Sequence, residues 1–251
     1  MIYREYLWIR RTFAWFMPAL LGIIVIGLIG NMIQMTPSEF DYASIGVDAS
    51  WIAAIFASIC GVALGNNSRE PAPLLWVLPA PRWKLAIQII SVDLAATTVA
   101  FTCVYVGELA CLMLADPHVR LGAVPVASIV TSLAMTYAAY GWSAIAGMLG
   151  RRTAYFGIIS LPTLMIWMIL AQSNNTLGAI LRAPIVANPF AVFNADLALR
   201  TAADHRVTLD APAMSLQWLS TIWGTPVLLA IAVATCGLAV ILWQRAQVIC
   251  A

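Results

Sequence analysis

Residues 85–114 read LAIQIISVDLAATTVAFTCVYVGELACLML. Only two charged residues, Asp93 and Glu108, interrupt this apolar stretch. A bilayer crossing needs roughly 20 apolar residues in helical form, with a working range of about 17–25. The run is continuous, whereas barrel strands alternate over roughly 10 residues. It therefore reads as a membrane-crossing helix long enough to tilt or protrude. Five more apolar runs lie on either side of it, at about 13–33, 45–65, 123–149, 154–171 and 223–243. The pattern predicts an all-α integral membrane protein, a single transmembrane domain over 1–251 with six transmembrane helices. The run at 45–65 is the weakest, because Asp48 interrupts its start. Pro18, Pro125, Pro162 and Pro226 fall within or near spans, where neighbouring helices re-satisfy the freed carbonyl. Pro162 sits mid-span and predicts a kink.

Composition agrees. Apolar residues make up 62% of the 251 and charged residues 10%, against about 25% charge in soluble domains. A soluble fold of this size has nowhere to hide so much apolar surface, and a disordered chain is excluded by the same figures. The net charge of +2 is too small and too scattered for a nucleic-acid binder. Of the five cysteines, Cys60, Cys103, Cys111 and Cys236 lie inside apolar runs and Cys250 is next to the last residue. No CxxC occurs, so neither a disulfide framework nor a zinc knuckle is indicated. The run at 13–33 is too long for a signal-peptide core and no A-x-A site follows it, so it reads as a retained first span.

Orientation follows from arginine and lysine. Arg4, Arg10, Arg11, Arg69, Arg82, Lys84, Arg151, Arg152 and Arg245 fall on one side of a six-span arrangement. Arg120, Arg182, Arg200 and Arg206 fall on the other, three of them in one long connection. This imbalance predicts cytoplasmic N and C termini. Residues 1–12, MIYREYLWIRRT, space Tyr, Leu and Ile as an N-terminal amphipathic helix with interfacial aromatics. The connection 172–222 holds apolar stretches too short to span, 177–185 and 190–199, broken at Asn188-Pro189. These predict short external helices, interfacial or re-entrant, before span six.

Several chemistries are missing. A Walker A motif needs Gly-Lys-Ser/Thr so that the lysine reaches the phosphates. The only lysine, Lys84, stands between Trp83 and Leu85. Neither HExxH nor G-x-S-x-G is present, and His118 and His205 stand alone in connections. No catalytic residue, metal ligand or cofactor site is expected in this chain. Asp93 and Glu108 are different, because intramembrane acids are costly and mark ion or proton paths by default. Fifteen residues at about 100° each place them roughly 60° apart on similar faces of one helix. Ser91, Thr97, Thr98, Thr102 and Tyr105 lie near enough to satisfy them locally. Ser143, Gly147 and Gly141 suit close helix approach.

The connection 66–84 reads NNSREPAPLLWVLPAPRWK. Arg69-Glu70, the apolar stretch Leu74, Leu75, Trp76, Leu78, then Pro79 and Arg82 resemble the segment between spans two and three in permease subunits of type-2 ABC exporters. That family's pattern, R-E-x-G-T-x-x-x-L-L-x-x-P-x-x-R, forms a cytoplasmic coupling helix that docks on an ATPase subunit. The family's Gly-Thr is replaced here by Pro71-Ala72-Pro73, which shortens or re-aims the start of such a helix. Six spans, internal termini, an N-terminal amphipathic helix and a helical external segment match the family by topology.

The resemblance implies an ATPase-docking set of Arg69, Glu70, Leu74, Leu75, Trp76, Leu78, Pro79, Arg82 and Lys84. The apolar members would anchor in a groove, and Glu70, Arg82 and Lys84 would orient the rim. It further implies partner ABC ATPase subunits that bind ATP and Mg, a second copy or a sister permease, and a bacterial cytoplasmic membrane location. The implied activity is export of an amphipathic peptide, bacteriocin or lantibiotic, antibiotic or lipid-like molecule. The alternatives are an ATP-independent secondary transporter using Asp93 and Glu108 as ion-coupling acids, the substrate-binding component of a vitamin importer, and a membrane enzyme. The Arg-Glu to Arg connection disfavours the importer, and the missing nucleophile and metal constellations disfavour the enzyme.

Overall fold

The computed structural model describes residues 42–67, 82–115, 126–149, 154–171, 173, 175–182, 184–196 and 221–246. Every regular element among them is helical. In chain order these are α1 (Tyr42–Asn67), α2 (Arg82–Ala115), α3 (Val126–Met148), α4 (Ala154–Ala171) and α5 (Thr176–Arg182). A 3₁₀ turn at Ile185–Ala187 follows, then α6 over residues 189–196 and α7 (Thr221–Ala246). The predicted spans at 45–65, 85–114, 123–149, 154–171 and 223–243 thus correspond to α1, α2, α3, α4 and α7. The predicted span 13–33 and the amphipathic helix at 1–12 lie outside the described residues, as does most of the connection 66–84.

Two of these helices are long and apolar enough to cross a membrane. They are Trp83–Ala110 in α2, with mean hydropathy 1.8, and Trp223–Gln244 in α7, with 2.4. Ala49–Gly65 and Pro162–Ala171 are shorter apolar stretches. Helix α3 owes its milder composition to its place. It is the central helix, with thirteen buried residues that include Ser132, Thr136, Gly141, Ser143 and Gly147. A helix enclosed by protein is selected for fit rather than for bulk hydropathy. Helices α4 and α7 continue through Pro162 and Pro226.

Directions alternate. Gly61 of α1 faces Tyr140 to Ala144 of α3, and Gly65 faces Gly147 and Met148, so these two helices run parallel. Thr131 bonds Thr225 and Gly141 faces Thr235, so α7 runs parallel to α3 as well. Asp93 meets Tyr140 and Thr98 meets Tyr137, so α2 is antiparallel to both.

Three apolar clusters fill the bundle. One, at the end where α1, α3 and α7 terminate, joins Phe56, Cys60, Leu64, Leu85, Ile89, Tyr140, Met148 and Trp243. A second, at the opposite end, joins Ala54, Met135, Leu164, Ile185, Phe190, Val192, Phe193 and Leu228. The third is smaller and sets Ala49 and Ala53 against Phe101 and Val104.

The segment after α4 is an inserted element. Asn175 begins α5 by accepting the Gly178 N–H at its Oδ1 (2.8 Å), an N-cap bond. Asn188 begins α6 in the same way, with an extended backbone at φ −89°, ψ 108° and the Phe190 N–H on its Oδ1 at 3.1 Å. Pro189 follows at the first helical position, where its missing N–H has no penalty. The Asn188 amide then donates to the Leu164 carbonyl of α4 at 2.9 Å. Trp51 of α1 stacks on Phe190 with ring centres 4.9 Å apart. Asn188, Phe190 and Val192 are fully buried, so α6 is core, whereas α5 exposes Leu177 and Ile180.

Candidate functional site

Helix α2 carries most of the residues of interest that the structure describes. Arg82 is its first residue, and Lys84 is exposed with its Nζ 5.5 Å from the centre of the half-exposed Trp83 ring. Arg69, Glu70, Leu74, Leu75, Trp76, Leu78 and Pro79, the rest of the expected docking set, lie outside the described residues.

Asp93 and Glu108 both point into the bundle, at 3% and 5% exposure. Fifteen residues apart, they are separated by about 22 Å along the helix axis. The structure therefore places them on one inner face but in two separate places. Asp93 lies level with the apolar cluster around Tyr140. Glu108 lies nearer the other end, one turn beyond Val104 and Tyr105.

The Asp93 site has a defined geometry. The Tyr140 hydroxyl of α3 donates to Asp93 Oδ2 at 2.8 Å. Tyr140 has no exposed surface, and its ring sits among Phe56, Cys60, Ala144 and Ala239, with Cys236 at the margin. One turn earlier on α3, the Tyr137 hydroxyl bonds Thr98 Oγ1 at 2.6 Å. The nearby hydroxyls of α2 turn back on their own helix. Ser91, Thr97, Thr98 and Thr102 each donate to the carbonyl four residues earlier. They satisfy backbone, as hydroxyls in apolar helices do, so the phenol that reaches the carboxylate comes from another helix.

Comparison with protein families, curated proteins and solved structures finds no match.

Two features escape a reading of α2 alone. Tyr137 and Tyr140 form a Tyr-Ala-Ala-Tyr pair three residues apart on α3, which puts both phenols on one face. A buried phenol needs a polar partner, and α2 supplies Asp93 to Tyr140 and Thr98 to Tyr137. The second is Gly61-Val-Ala-Leu-Gly65, a small-xxx-small signal for close helix approach. A Cβ on Gly61 would lie 2.5 Å from the Tyr140 carbonyl oxygen and 2.9 Å from the Ala144 nitrogen. One on Gly65 would overlap the Gly147 backbone, and one on Gly147 would come within 3.1 Å of the Val62 carbonyl. Ser143 and Gly147 are the facing half of that seam. At the opposite end, buried Asp196 of α6 packs directly on Gly224 of α7, where no side chain would fit. Among the described residues no group of three His, Cys, Asp or Glu side chains gathers as a metal site would require.

Proposed function

We propose that this chain is the membrane-spanning subunit of an ATP-driven exporter of the type-2 ABC class. In this reading it is a multi-pass protein of the bacterial cytoplasmic membrane with six spans and both termini inside. Two copies, or one copy and a sister permease, form the pathway, and separate ATPase subunits hydrolyse ATP with Mg. The cargo is an amphipathic peptide, antibiotic or lipid-like molecule.

The observation that carries the reading is the Arg69-Glu70 to Arg82 sequence motif, whose last residue, Arg82, is the first of the 34 residues of α2. At 1.5 Å per residue the helix is about 50 Å long, well beyond the ~30 Å hydrocarbon thickness. Its surplus length lets a force applied at its Arg82 end reach the bundle through a continuous helix. The inserted α5–α6 segment before α7 also fits that architecture.

The test is a pull-down from native membranes in gentle detergent, comparing wild type with Glu70→Lys plus Arg82→Glu. Recovery of an ATPase subunit with wild type and its loss with the double variant is expected. Absence of any ATPase with wild type would sink the reading. The buried Asp93–Tyr140 pair favours a second reading, an ATP-independent secondary transporter in which Asp93 and Glu108 couple to an ion. That reading requires Asp93→Asn to abolish transport while no ATPase co-purifies.

A further inference from the structure

The bundle is held together in two different ways. Helix α3 packs closely on α1 along one side and on α7 along another. Gly61 and Gly65 sit against Tyr140, Ala144 and Gly147, and Gly141 sits against Thr235 and the Cys236 nitrogen. Such contacts leave no room for sliding without separation, because interiors are close-packed. Helix α2 is attached otherwise. It meets α1 through apolar side chains, Leu85, Ala86, Ile89 and Ile90 against Phe56, Cys60 and Leu64, and Phe101 and Val104 against Ala49 and Ala53. It meets α7 in the same apolar cluster, where Ala239 and Trp243 join Leu85 and Ile89, and it meets α3 along a shorter stretch. That shorter stretch holds directed bonds at two points, Tyr140 to Asp93 and Tyr137 to Thr98.

In lipid, apolar side-chain contacts exchange for acyl chains at little free-energy difference, so tight fit and directed hydrogen bonds decide which helices stay in register. We propose that Tyr137 and Tyr140 form a two-point clasp that fixes α2 against a rigid α1–α3–α7 unit, making α2 the moving limb of the bundle. Both phenols lie on one face of α3, and their acceptors lie five residues apart on α2. A shift of α2 along its axis breaks both bonds together, so the limb has one engaged position and one released position. The proposal rests on the exporter reading only for the source of the force, a load arriving through residues 66–84. The clasp itself is a property of this chain.

The experiment measures distances between spin labels on the full chain in nanodiscs. One label sits on Cys103, which is exposed on α2, and one on Leu238→Cys, exposed on α7. The other four cysteines are replaced by alanine. Wild type should give one dominant distance. A hydrogen bond between helices in lipid is worth about 0.6 kcal/mol on average, or about threefold in an equilibrium. Tyr140→Phe or Tyr137→Phe should each raise a second population about threefold, and the double variant about tenfold. Asp93→Asn keeps an acceptor for Tyr140 and should retain the wild-type distribution.

A control pair, Val130→Cys on α3 with Leu238→Cys and Cys103→Ala, should not change in the double Tyr→Phe variant. An unchanged Cys103–Leu238 distance in that variant would overturn the clasp. So would equal broadening of the control pair, which would mean general loosening. A released α2 with no ATPase recovered in the pull-down would remove the exporter reading and leave the clasp standing. A recovered ATPase with unchanged distances would do the reverse.

Discussion

A Cβ at Gly65 would occupy space already filled by the Gly147 backbone, and a Cβ at Gly237 would meet nothing within 4 Å. The two glycines sit on helices of the same bundle and answer different demands. Gly65 is required by the α1–α3 approach, whereas Gly237 lies on the outward face of α7. Gly65→Val should therefore force the helices apart and cost about 3 kcal/mol or more, at the upper end of overpacking penalties. Gly237→Ala should be neutral or stabilising by about 0.5–1 kcal/mol, from reduced backbone entropy. Thermal unfolding in one detergent, with the two variants side by side, reads both. A Gly65→Val protein as stable as wild type would contradict the close approach.

Asp93 and Tyr140 make a second residue-scale case. Asp93→Leu leaves a buried phenol without its acceptor, which costs about 1–3 kcal/mol. Adding Tyr140→Phe removes the stranded donor, so the double variant should be more stable than Asp93→Leu alone. Such recovery is the signature of two residues in direct contact, and its absence would mean that Asp93 acts through other neighbours.

At the scale of elements, the segment between α4 and α7 shows what a short polar signal can specify. Asn188 caps α6, and its amide ties that helix to the Leu164 carbonyl. Asn188→Ala removes the cap, about 0.5–2 kcal/mol, and the tie to the Leu164 carbonyl, about 0.5–1.5 kcal/mol more. The expected result is selective loosening of 173–196, seen as faster limited proteolysis there at temperatures where α1 and α3 stay protected. Uniform cleavage along the chain would argue against a local role.

The break at Asn188-Pro189 and the shortness of its flanking apolar stretches are legible in the sequence, because Asn and Pro act on their own backbone. So are the long helices: the run 154–171 is α4 residue for residue, since a continuous apolar run bounded by charge and polar residues leaves little freedom. What the sequence does not display is which faces meet. The Asp93–Tyr140 bond joins positions 47 residues apart, and no local pattern on α2 names its partner. The Gly61–Gly65 signal is local, yet its meaning depends on Gly147 being opposite. The burial of α6 depends on four other helices, α1, α3, α4 and α7, leaving a slot.

For the whole molecule, the alternating directions gather particular connections at each end. The end of α1, the start of α2, the end of α3, the start of α4 and the end of α7 lie together at one end. The sequence flanking those points carries Arg69, Arg82, Lys84, Arg151, Arg152 and Arg245. The opposite end is flanked by Arg120, Arg182, Arg200 and Arg206, three of them in one long connection where charge has less influence on orientation. Under the positive-inside rule the first end is expected to face the cytoplasm.

A single cysteine at His118, between α2 and α3, should therefore react with a membrane-impermeant maleimide in intact cells. One at Thr153, between α3 and α4, should react only after the membrane is opened, and in inside-out vesicles the order should reverse. The result bears on function as well as orientation, because the 66–84 connection shares its end of the bundle with Thr153. Labelling of Thr153→Cys in intact cells would place that connection outside, beyond reach of any cytoplasmic ATPase. The exporter reading would then fail on geometry alone, whatever the residues between Arg69 and Arg82 resemble.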